Sequence, residues 1–233
     1  MESLKRLEGG LVVSCQAYPG EPLHGAIYME RMAVAAYQSG AVGIRANGPD
    51  DISAIRKAVT LPIIGLYKIH DPNTEVYITP TLDSARMIVE AGADIIAMDA
   101  TDRKLTDGRY TYDLIGDVKR RLNVPVMADI STSEEGIKAE SAGADIISTT
   151  MAGYTPYTMP AADGPDFALL ADLTERVSIP VICEGRIWTR EDAVKAFELG
   201  AYAVVIGSAI TAPQLITTRF VEAINKNRSL KSK

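Results

Sequence analysis

Short apolar runs recur along the whole chain, and two kinds of residue pair alternate in front of them. An aliphatic residue with a proline, or a glycine with an alanine, precedes seven of the runs: Leu61-Pro62, Val124-Pro125, Ile179-Pro180, Gly40-Ala41, Gly92-Ala93, Gly143-Ala144 and Gly200-Ala201. Glycine favours the end of a helix, and proline is tolerated at the first residue of a strand. The pattern therefore predicts a pair of strand–helix units about every 50 to 60 residues, repeated about four times.

The repeat predicts eight strands, each an almost continuous apolar run. Such runs are typical of parallel strands that are covered on both faces. The predicted strands are Leu11 to Gln16, Ala41 to Ala46, Pro62 to Lys68, Ala93 to Asp99, Pro125 to Ile130, Ala144 to Thr149, Pro180 to Glu184 and Ala201 to Ile206. Because eight such units close on themselves, the predicted fold class is α/β, a (β/α)8 TIM barrel.

Helical patterns fill the intervals between the strands. The predicted helices are Met29 to Ser39, Pro49 to Val59, Thr81 to Ala91, Tyr112 to Leu122, Ser133 to Ala142, Asp166 to Val177, Thr189 to Leu199 and Ala212 to Lys226. We expect a single domain over residues 1–233, with a core at 11–227 and a polar tail at 228–233. An open doubly wound sheet is the alternative, but Val13 to Ala17 lacks the glycine fingerprint usual after its first strand.

Composition limits the classes of function that this 233-residue chain can have. A formal net charge of −6 disfavours general nucleic-acid binding, which depends on clustered Lys and Arg. No apolar run approaches the roughly 18 residues that span a bilayer, and the first six residues lack the apolar stretch of a signal peptide. We therefore expect a cytoplasmic protein without nucleic-acid or membrane partners. The oligomeric state stays open, with a homodimer as one option.

Cysteine and histidine are scarce. Cys15 and Cys183 lie within strand-like runs, which indicates buried and unreactive thiols. Together with His24 and His70 they do not give the spacing of a zinc site, so no metal is predicted.

The last two predicted strands each end in a glycine and a polar residue. In a barrel of this class, the loops after strands seven and eight commonly bind phosphate, together with the N-terminus of a short extra helix. The stretch from Ser208 to Thr211 is long enough for one helical turn. The predicted phosphate-binding residues are Gly185, Arg186, Gly207 and Ser208.

Two charged residues at strand ends are the candidates for catalysis, because all parallel strands end at one rim. Lys68 ends the third predicted strand, where a desolvated amine can act as a base. Glu184 ends the seventh, where partial burial raises the pKa of a carboxyl group toward neutrality. The plainer alternatives are an ion pair of Lys68 with Asp99 or Asp129, and a pair of Glu184 with Arg186.

Strands three and seven lie on opposite sides of an eight-stranded mouth. Two proton-transfer groups that face each other suit the inversion of a carbon beside a carbonyl, since one removes the proton and the other returns it on the opposite face. Arg45 and Gln16, also at strand ends, are placed to stabilise the intermediate enolate. Asp129 is predicted to orient Lys68 or to bind a sugar hydroxyl.

Three long loops follow the third, fourth and sixth strands and are candidates for closing over a substrate: Ile69 to Pro80, Thr101 to Arg109 and Met151 to Pro165. The last is rich in hydroxyl and aromatic side chains, as a sugar-binding lid would be, and a plain surface loop is the alternative. Thr149 at the rim and Tyr154 in this loop are the remaining candidates for substrate binding.

Several short segments, taken together, resemble one known family. They are Ser14-Cys15-Gln16-Ala17, Ile44-Arg45-Ala46, Leu61-Pro62-Ile63-Ile64-Gly65, Tyr77-Ile78-Thr79-Pro80-Thr81, Asp99-Ala100-Thr101, Ala128-Asp129-Ile130-Ser131-Thr132, Ser148-Thr149-Thr150, Gly153-Tyr154-Thr155-Pro156-Tyr157 and Cys183-Glu184-Gly185-Arg186-Ile187. From about Leu11 to Phe220 the chain resembles the N-acetylmannosamine-6-phosphate 2-epimerase family.

The resemblance implies an isomerase that interconverts N-acetylmannosamine 6-phosphate and N-acetylglucosamine 6-phosphate, a step of sialic acid degradation. It implies proton transfer by Lys68 and Glu184, and roles at the site for Gln16, Arg45 and Asp129. It implies no metal and no organic cofactor. Because the C2 hydrogen is acidic only beside the C1 aldehyde of the open-chain sugar, ring opening precedes epimerisation.

Two other functions remain open at this point. Lys68 is also suited to form a Schiff base, as in phosphosugar aldolases built on the same barrel. A phosphosugar-binding protein without turnover is the third hypothesis, and the joint presence of Lys68 and Glu184 disfavours it.

Overall fold

The computed structural model describes residues 2–159 and 163–231 as a closed barrel of eight parallel strands in chain order, β1 to β8. The strands are Leu11–Cys15, Gly43–Asn47, Ile63–Leu66, Ile95–Asp99, Val126–Asp129, Ile146–Ser148, Val181–Glu184 and Ala203–Ile206. Every one overlaps a predicted strand, and the (β/α)8 fold class is confirmed. The interleaved helices therefore form the outer layer of the barrel.

Ten α-helices, α1 to α10, occur in the described part of the chain. They are Glu2–Lys5, Ala26–Gln38, Pro49–Ala58, Leu82–Glu90, Tyr112–Leu122, Ser133–Ser141, Phe167–Arg176, Arg190–Glu198, Ser208–Thr211 and Pro213–Lys231. The threonines before α4, α6 and α8 form capping boxes, in which each accepts a bond from the third helical residue. These caps fix where the loops at the rim end.

The three predicted prolines lie one residue before their strands rather than within them. Their carbonyl groups still join the barrel, because Pro62, Pro125 and Pro180 accept bonds of 2.9 to 3.0 Å from the peptide N–H groups of neighbouring strands. A proline at this point forfeits only a donor that the ladder does not need.

Side chains of each strand alternate between two apolar clusters. In β4, Ile95 and Ala97 point into the barrel, while Ile96 and Met98 pack under the helices. This period of two is what strand geometry requires, and it makes the barrel interior a packed core rather than a pore. The cavity at the mouth lies above this core.

The helix α1 was not predicted from the sequence. Together with Leu7, its Leu4 belongs to the inner cluster, and Tyr202 Oη donates to the Leu4 carbonyl oxygen at 3.2 Å. The segment therefore closes the N-terminal end of the barrel. A helix of one turn carries too few residues to show a period, which is why the pattern gave no signal.

The final helix, α10, extends further than the sequence indicated, and most of its length is exposed. It continues through Lys231, beyond the predicted end at Lys226, and residues 232 and 233 of the predicted tail lie outside the described residues. From Thr217 to Arg228 every residue is exposed, including Phe220 at 68% and Ile224 at 53%. None of the described helices is long and apolar enough to cross a membrane.

A substitution at Gly65 of β3 tests how tightly the strands and the residues around them are packed. A Cβ atom at this position would lie 2.5 Å from Ala93 Cβ, which cannot move independently of the backbone. We expect Gly65→Ala to lower the free energy of unfolding by about 1 to 3 kcal/mol through overpacking. Chemical denaturation measures this, with Gly116→Ala in α5 as the control, because its new Cβ meets nothing closer than 3.7 Å. Equal stability of the two variants would contradict the packing argument.

Candidate active site

A cavity of about 540 Å³ opens at the C-terminal ends of the strands. Nine of the predicted site residues line it: Gln16, Arg45, Lys68, Tyr154, Glu184, Gly185, Arg186, Gly207 and Ser208. Two predicted residues, Asp129 and Thr149, do not line it. The barrel thus brings residues from five strand ends and one loop to a single volume.

The guanidinium group of Arg45, in the wall of this cavity, is almost completely buried. Its Nη1 and Nη2 donate to the two carboxylate oxygens of Asp129 at 3.0 and 2.5 Å, and Nη1 also donates to Glu184 Oε2 at 2.6 Å. Thr150 Oγ1 lies 3.3 Å from Nη1 and donates to Asp129 at 2.6 Å. A buried charge is tolerable only when it is paired in this way.

This network corrects one prediction and excludes one alternative. Asp129 contacts Arg45 and Thr150 and lies behind them, so it does not orient Lys68. Glu184 pairs with Arg45 and not with Arg186. The sequence shows which residues end strands, but it does not show which of two nearby arginines turns inward.

Burial raises the pKa of Glu184 to about 7, although the charge of Arg45 acts in the opposite direction. Asp129 adds to the rise through its own negative charge. For Arg45, burial lowers the pKa, but Asp129 and Glu184 outweigh it and the net shift is upward. Arg45 therefore stays positive, while Glu184 can exchange a proton near neutral pH.

Lys68 faces the cavity without an acidic partner. Its Nζ donates to Tyr18 Oη at 2.7 Å, and no ion pair among the described residues includes it. The alternative of a Lys68 ion pair is therefore wrong, because Asp99 pairs with Arg103 and Asp129 pairs with Arg45.

Lys68 and Glu184 approach the cavity from opposite sides. Lys68 comes two residues after β3, and Glu184 is the last residue of β7, four strands further around the closed barrel. The hydrogen bond from the Lys68 peptide N–H to Asn47 Oδ1, at 2.8 Å, fixes the start of its side chain at the end of β2. A substrate between the two groups would present a different face to each.

Two buried polar atoms near this volume have no hydrogen-bond partner within the described residues. They are Nε of Arg45 and Oε1 of Gln16, whose Nε2 donates to Ser14 Oγ at 2.8 Å. Buried polar groups are almost always satisfied, so each of these atoms calls for a partner. Both residues also line the cavity.

Thr149 has a structural contact in place of the predicted substrate contact. A single 3-10 turn begins at this residue, and its Oγ1 donates to the Glu184 carbonyl oxygen at 2.9 Å and accepts from the Glu184 peptide N–H at 3.0 Å. The next residue, Thr150, lines the cavity instead. Thr149 thereby fixes the backbone that carries the catalytic candidate.

Arg186 has a left-handed backbone conformation with φ of 55°, and it holds the loop after β6. Its Nε donates to the Gly164 carbonyl oxygen at 2.9 Å and its Nη1 to that of Ala152 at 2.6 Å. The guanidinium lies 5.3 Å from the ring centroid of Tyr154. The predicted lid at 151–165 is thus anchored at both ends, while its residues 160–162 lie outside the described residues.

The two cysteines are buried and unbonded, as predicted. Burial raises the pKa of Cys15 and of Cys183 to about 12 in both cases. A thiol needs its ionised form to react, so neither is a nucleophile at neutral pH.

Sequence reasoning missed three aromatic residues of the cavity, Tyr18, Tyr77 and Trp188. Tyr77 lay in a predicted open loop, but the segment folds back on β3, where Lys68 pairs with Ile78 in an antiparallel bridge. Tyr18 and Trp188 follow strand ends by a few residues. That closeness to the rim is the one signal that was present.

Removing the negative charge of Asp129 should destabilise the protein, because the buried charge of Arg45 then loses one of its two partners. We expect Asp129→Asn to lower the free energy of unfolding by about 3 kcal/mol, the low end for breaking a buried pair, since Glu184 still balances the guanidinium. Thermal or urea unfolding measures the loss. Asp83→Asn, whose carboxylate forms an exposed pair with Arg86, is the control and should change stability little. A comparable small effect at Asp129 would contradict the proposed role of this pair.

Comparison with known proteins places this geometry in one family. The profile of the family described as putative N-acetylmannosamine-6-phosphate epimerase matches residues 29–226. A putative N-acetylmannosamine-6-phosphate 2-epimerase of Caldanaerobacter subterraneus subsp. tengcongensis is 52% identical over 229 residues, covering 98% of this chain and 96% of its own. One of Clostridioides difficile is 48% identical, with 96% and 100% covered.

A solved structure supports the same relationship. The N-acetylmannosamine-6-phosphate 2-epimerase from Clostridium perfringens superposes with a TM-score of 0.91 at 48% identity, covering 94% of this chain and 95% of that one. These relatives favour the epimerase hypothesis over the aldolase and the sensor. The chain belongs to the N-acetylmannosamine-6-phosphate 2-epimerase family.

Proposed function

We propose that the protein is an isomerase that interconverts N-acetylmannosamine 6-phosphate and N-acetylglucosamine 6-phosphate within sialic acid degradation. Family membership supports the reaction, and the observation that carries the mechanism is the placement of Lys68 and Glu184 at opposite sides of one cavity. Because a charged phosphosugar crosses a bilayer poorly, we place the reaction in the cytoplasm.

The reaction inverts C2 of the sugar through loss and return of its proton. In the open-chain form, C2 lies beside the C1 aldehyde, and removal of its hydrogen gives an enolate. Lys68 and Glu184 are the two groups that move this proton, one on each face of C2. The pKa of about 7 that burial gives Glu184 suits both donation and acceptance near neutral pH.

Arg45 and Gln16 are the partners for the charge that develops on the substrate. Arg45 lines the cavity, stays positive and is held by Asp129 and Glu184, so it is a preorganised donor. Such a preorganised donor costs little reorganisation when the enolate forms. Gln16 Oε1 is an unused acceptor that suits a substrate hydroxyl or amide N–H. Asp129 and Thr149 support this wall from behind, and Tyr154 faces the sugar from the loop after β6.

The phosphate group is held at the end of the cavity formed by the loops after β7 and β8. Gly185, Arg186, Gly207 and Ser208 line this end. Glycine permits close approach of the backbone to an anion, and the hydroxyl of Ser208 adds a donor. Two N–H groups of Arg186 are bonded to loop carbonyls, so its contribution is mainly its positive charge.

Single substitutions of Lys68 and Glu184 should show which of the two groups acts on each face of C2. We expect Lys68→Ala and Glu184→Gln each to slow interconversion by about 100-fold or more, the usual scale for a general acid or base. Each variant should still exchange the C2 hydrogen of one epimer, the one whose proton faces the remaining group. Proton NMR in deuterated water, run separately from each epimer, measures both quantities.

Lys57→Ala in α3 is the control, because this exposed lysine is remote from the cavity. If Lys68→Ala loses exchange with both epimers while Glu184→Gln keeps exchange with both, Lys68 alone moves the proton and the two-group assignment fails. If the unmodified protein shows no exchange, the proposed activity itself is wrong.

We also propose that the protein is a homodimer whose interface includes α10. Along this helix, Phe220, Val221 and Ile224 are each about half exposed or more, although they are apolar. A continuous apolar face of this kind usually marks a contact with another protein, and symmetric contact with a second copy is the commonest arrangement.

Charge introduced into this face should separate the two copies. We expect the double substitution Phe220→Asp with Ile224→Asp to convert a dimer to a monomer, because two carboxylates would be desolvated at the interface. Sedimentation velocity over a range of concentrations measures the mass. Met87→Asp in α4, an exposed apolar residue on another side of the barrel, is the control. A monomeric unmodified protein would refute the proposal.

A further inference from the structure

Tyr18 is the side chain that holds the amine of Lys68. Its hydroxyl accepts a hydrogen bond from Lys68 Nζ at 2.7 Å, and its ring centroid lies 4.6 Å from the same nitrogen. Both residues line the cavity. The proposed reaction assigns no role to Tyr18.

A lysine amine needs such a contact to have a defined position. The amine lies at the end of a flexible four-carbon stem. Apart from the contact with Tyr18, Lys68 is fixed only at its backbone, where its N–H donates to Asn47 Oδ1 at 2.8 Å. Without an ion pair among the described residues, the bond to Tyr18 is what orients the far end of the side chain. A displacement of about 1 Å at a reacting group is enough to cost a large factor in rate.

Tyr18 is itself held in a tight turn. Its peptide N–H donates to Glu21 Oε2 at 2.6 Å, and the Glu21 N–H donates back to the Tyr18 carbonyl oxygen at 3.0 Å. Gln214 Nε2, in the first turn of α10, donates to Glu21 Oε1 at 3.2 Å. Gly20, inside the turn, has φ of 92°, which other residues rarely adopt. The phenol therefore projects from a restrained segment of backbone.

We infer that Tyr18 is a positioning residue for Lys68 in the epimerisation, an inference that rests on the proposed function. When Lys68 acts as the base, its amine donates one N–H to the Tyr18 hydroxyl and directs its lone pair at the C2 hydrogen. The bond thus restricts the direction of the lone pair without occupying it. Tyr18 moves no proton of the substrate in this scheme.

The test compares Tyr18→Phe, which removes only the hydroxyl, with Tyr18→Leu, which removes the ring as well. Since a hydrogen bond between uncharged groups contributes about 0.5 to 1.5 kcal/mol, we expect Tyr18→Phe to lower kcat by about 2- to 10-fold. KM should stay within about threefold, because Tyr18→Phe keeps the ring that lines the cavity. Tyr37→Phe in α2 is the matched control, since this tyrosine is 47% exposed, against 48% for Tyr18, and lies outside the cavity.

A second measurement follows the contact without any turnover. The rate at which acetic anhydride acetylates Lys68, read by mass spectrometry of its peptide, should rise severalfold in Tyr18→Phe and stay constant in Tyr37→Phe. Wild-type kcat in Tyr18→Phe, with a loss only in Tyr18→Leu, would overturn the role of the hydroxyl, and so would an unchanged acetylation rate. If the unmodified protein lacks C2 exchange, the proposed function fails, and the acetylation rates alone decide whether Tyr18 holds the amine.

Discussion

The buried positive charge of Arg45 is the constraint on which the mouth of the barrel depends. A guanidinium group that is 1% exposed must be matched by negative charge, and it receives Asp129 from β5 and Glu184 from β7. The three residues come from strands that are not neighbours, so their bonds tie the rim together across its centre. Two carboxyl groups on one arginine also leave an excess of negative charge. Burial raises the pKa of Glu184, and the negative charge of Asp129 adds to the rise.

This network makes the two sides of the cavity physically different. On the side of Glu184, Arg45 donates to the carboxylate and to Thr150, and Thr149 accepts a bond from the Glu184 peptide N–H. On the opposite side, Lys68 has a long side chain whose amine makes one hydrogen bond in the described structure. Rigid donors suit the stabilisation of a charge that forms at a fixed place. A longer side chain whose amine is held by a single residue suits a group that must reach a proton and then release it.

The strands and most helices could be predicted because they depend on periodicity and on terminal glycine and proline signals. The same reasoning placed Gln16, Arg45, Lys68 and Glu184 at one rim, since parallel strands end together. This reasoning failed just beyond the strand ends, where the local turn decides which side chain faces the cavity. The 3-10 turn at Thr149 turns that side chain away from the cavity and turns Thr150 toward it. No period in the sequence records such a turn.

Charged residues beyond the strand ends were harder to assign, because a long side chain can reach either a ligand or the protein itself. Arg103, in the loop after β4, is buried against Asp99, and Arg186 bonds to two carbonyl groups of the loop after β6. Both arginines therefore hold loops at the rim. With Arg186 committed in this way, the peptide groups at Gly185, Gly207 and Ser208 become the main proposed partners for the phosphate. The anion would then be recognised by backbone whose position the last two strands determine.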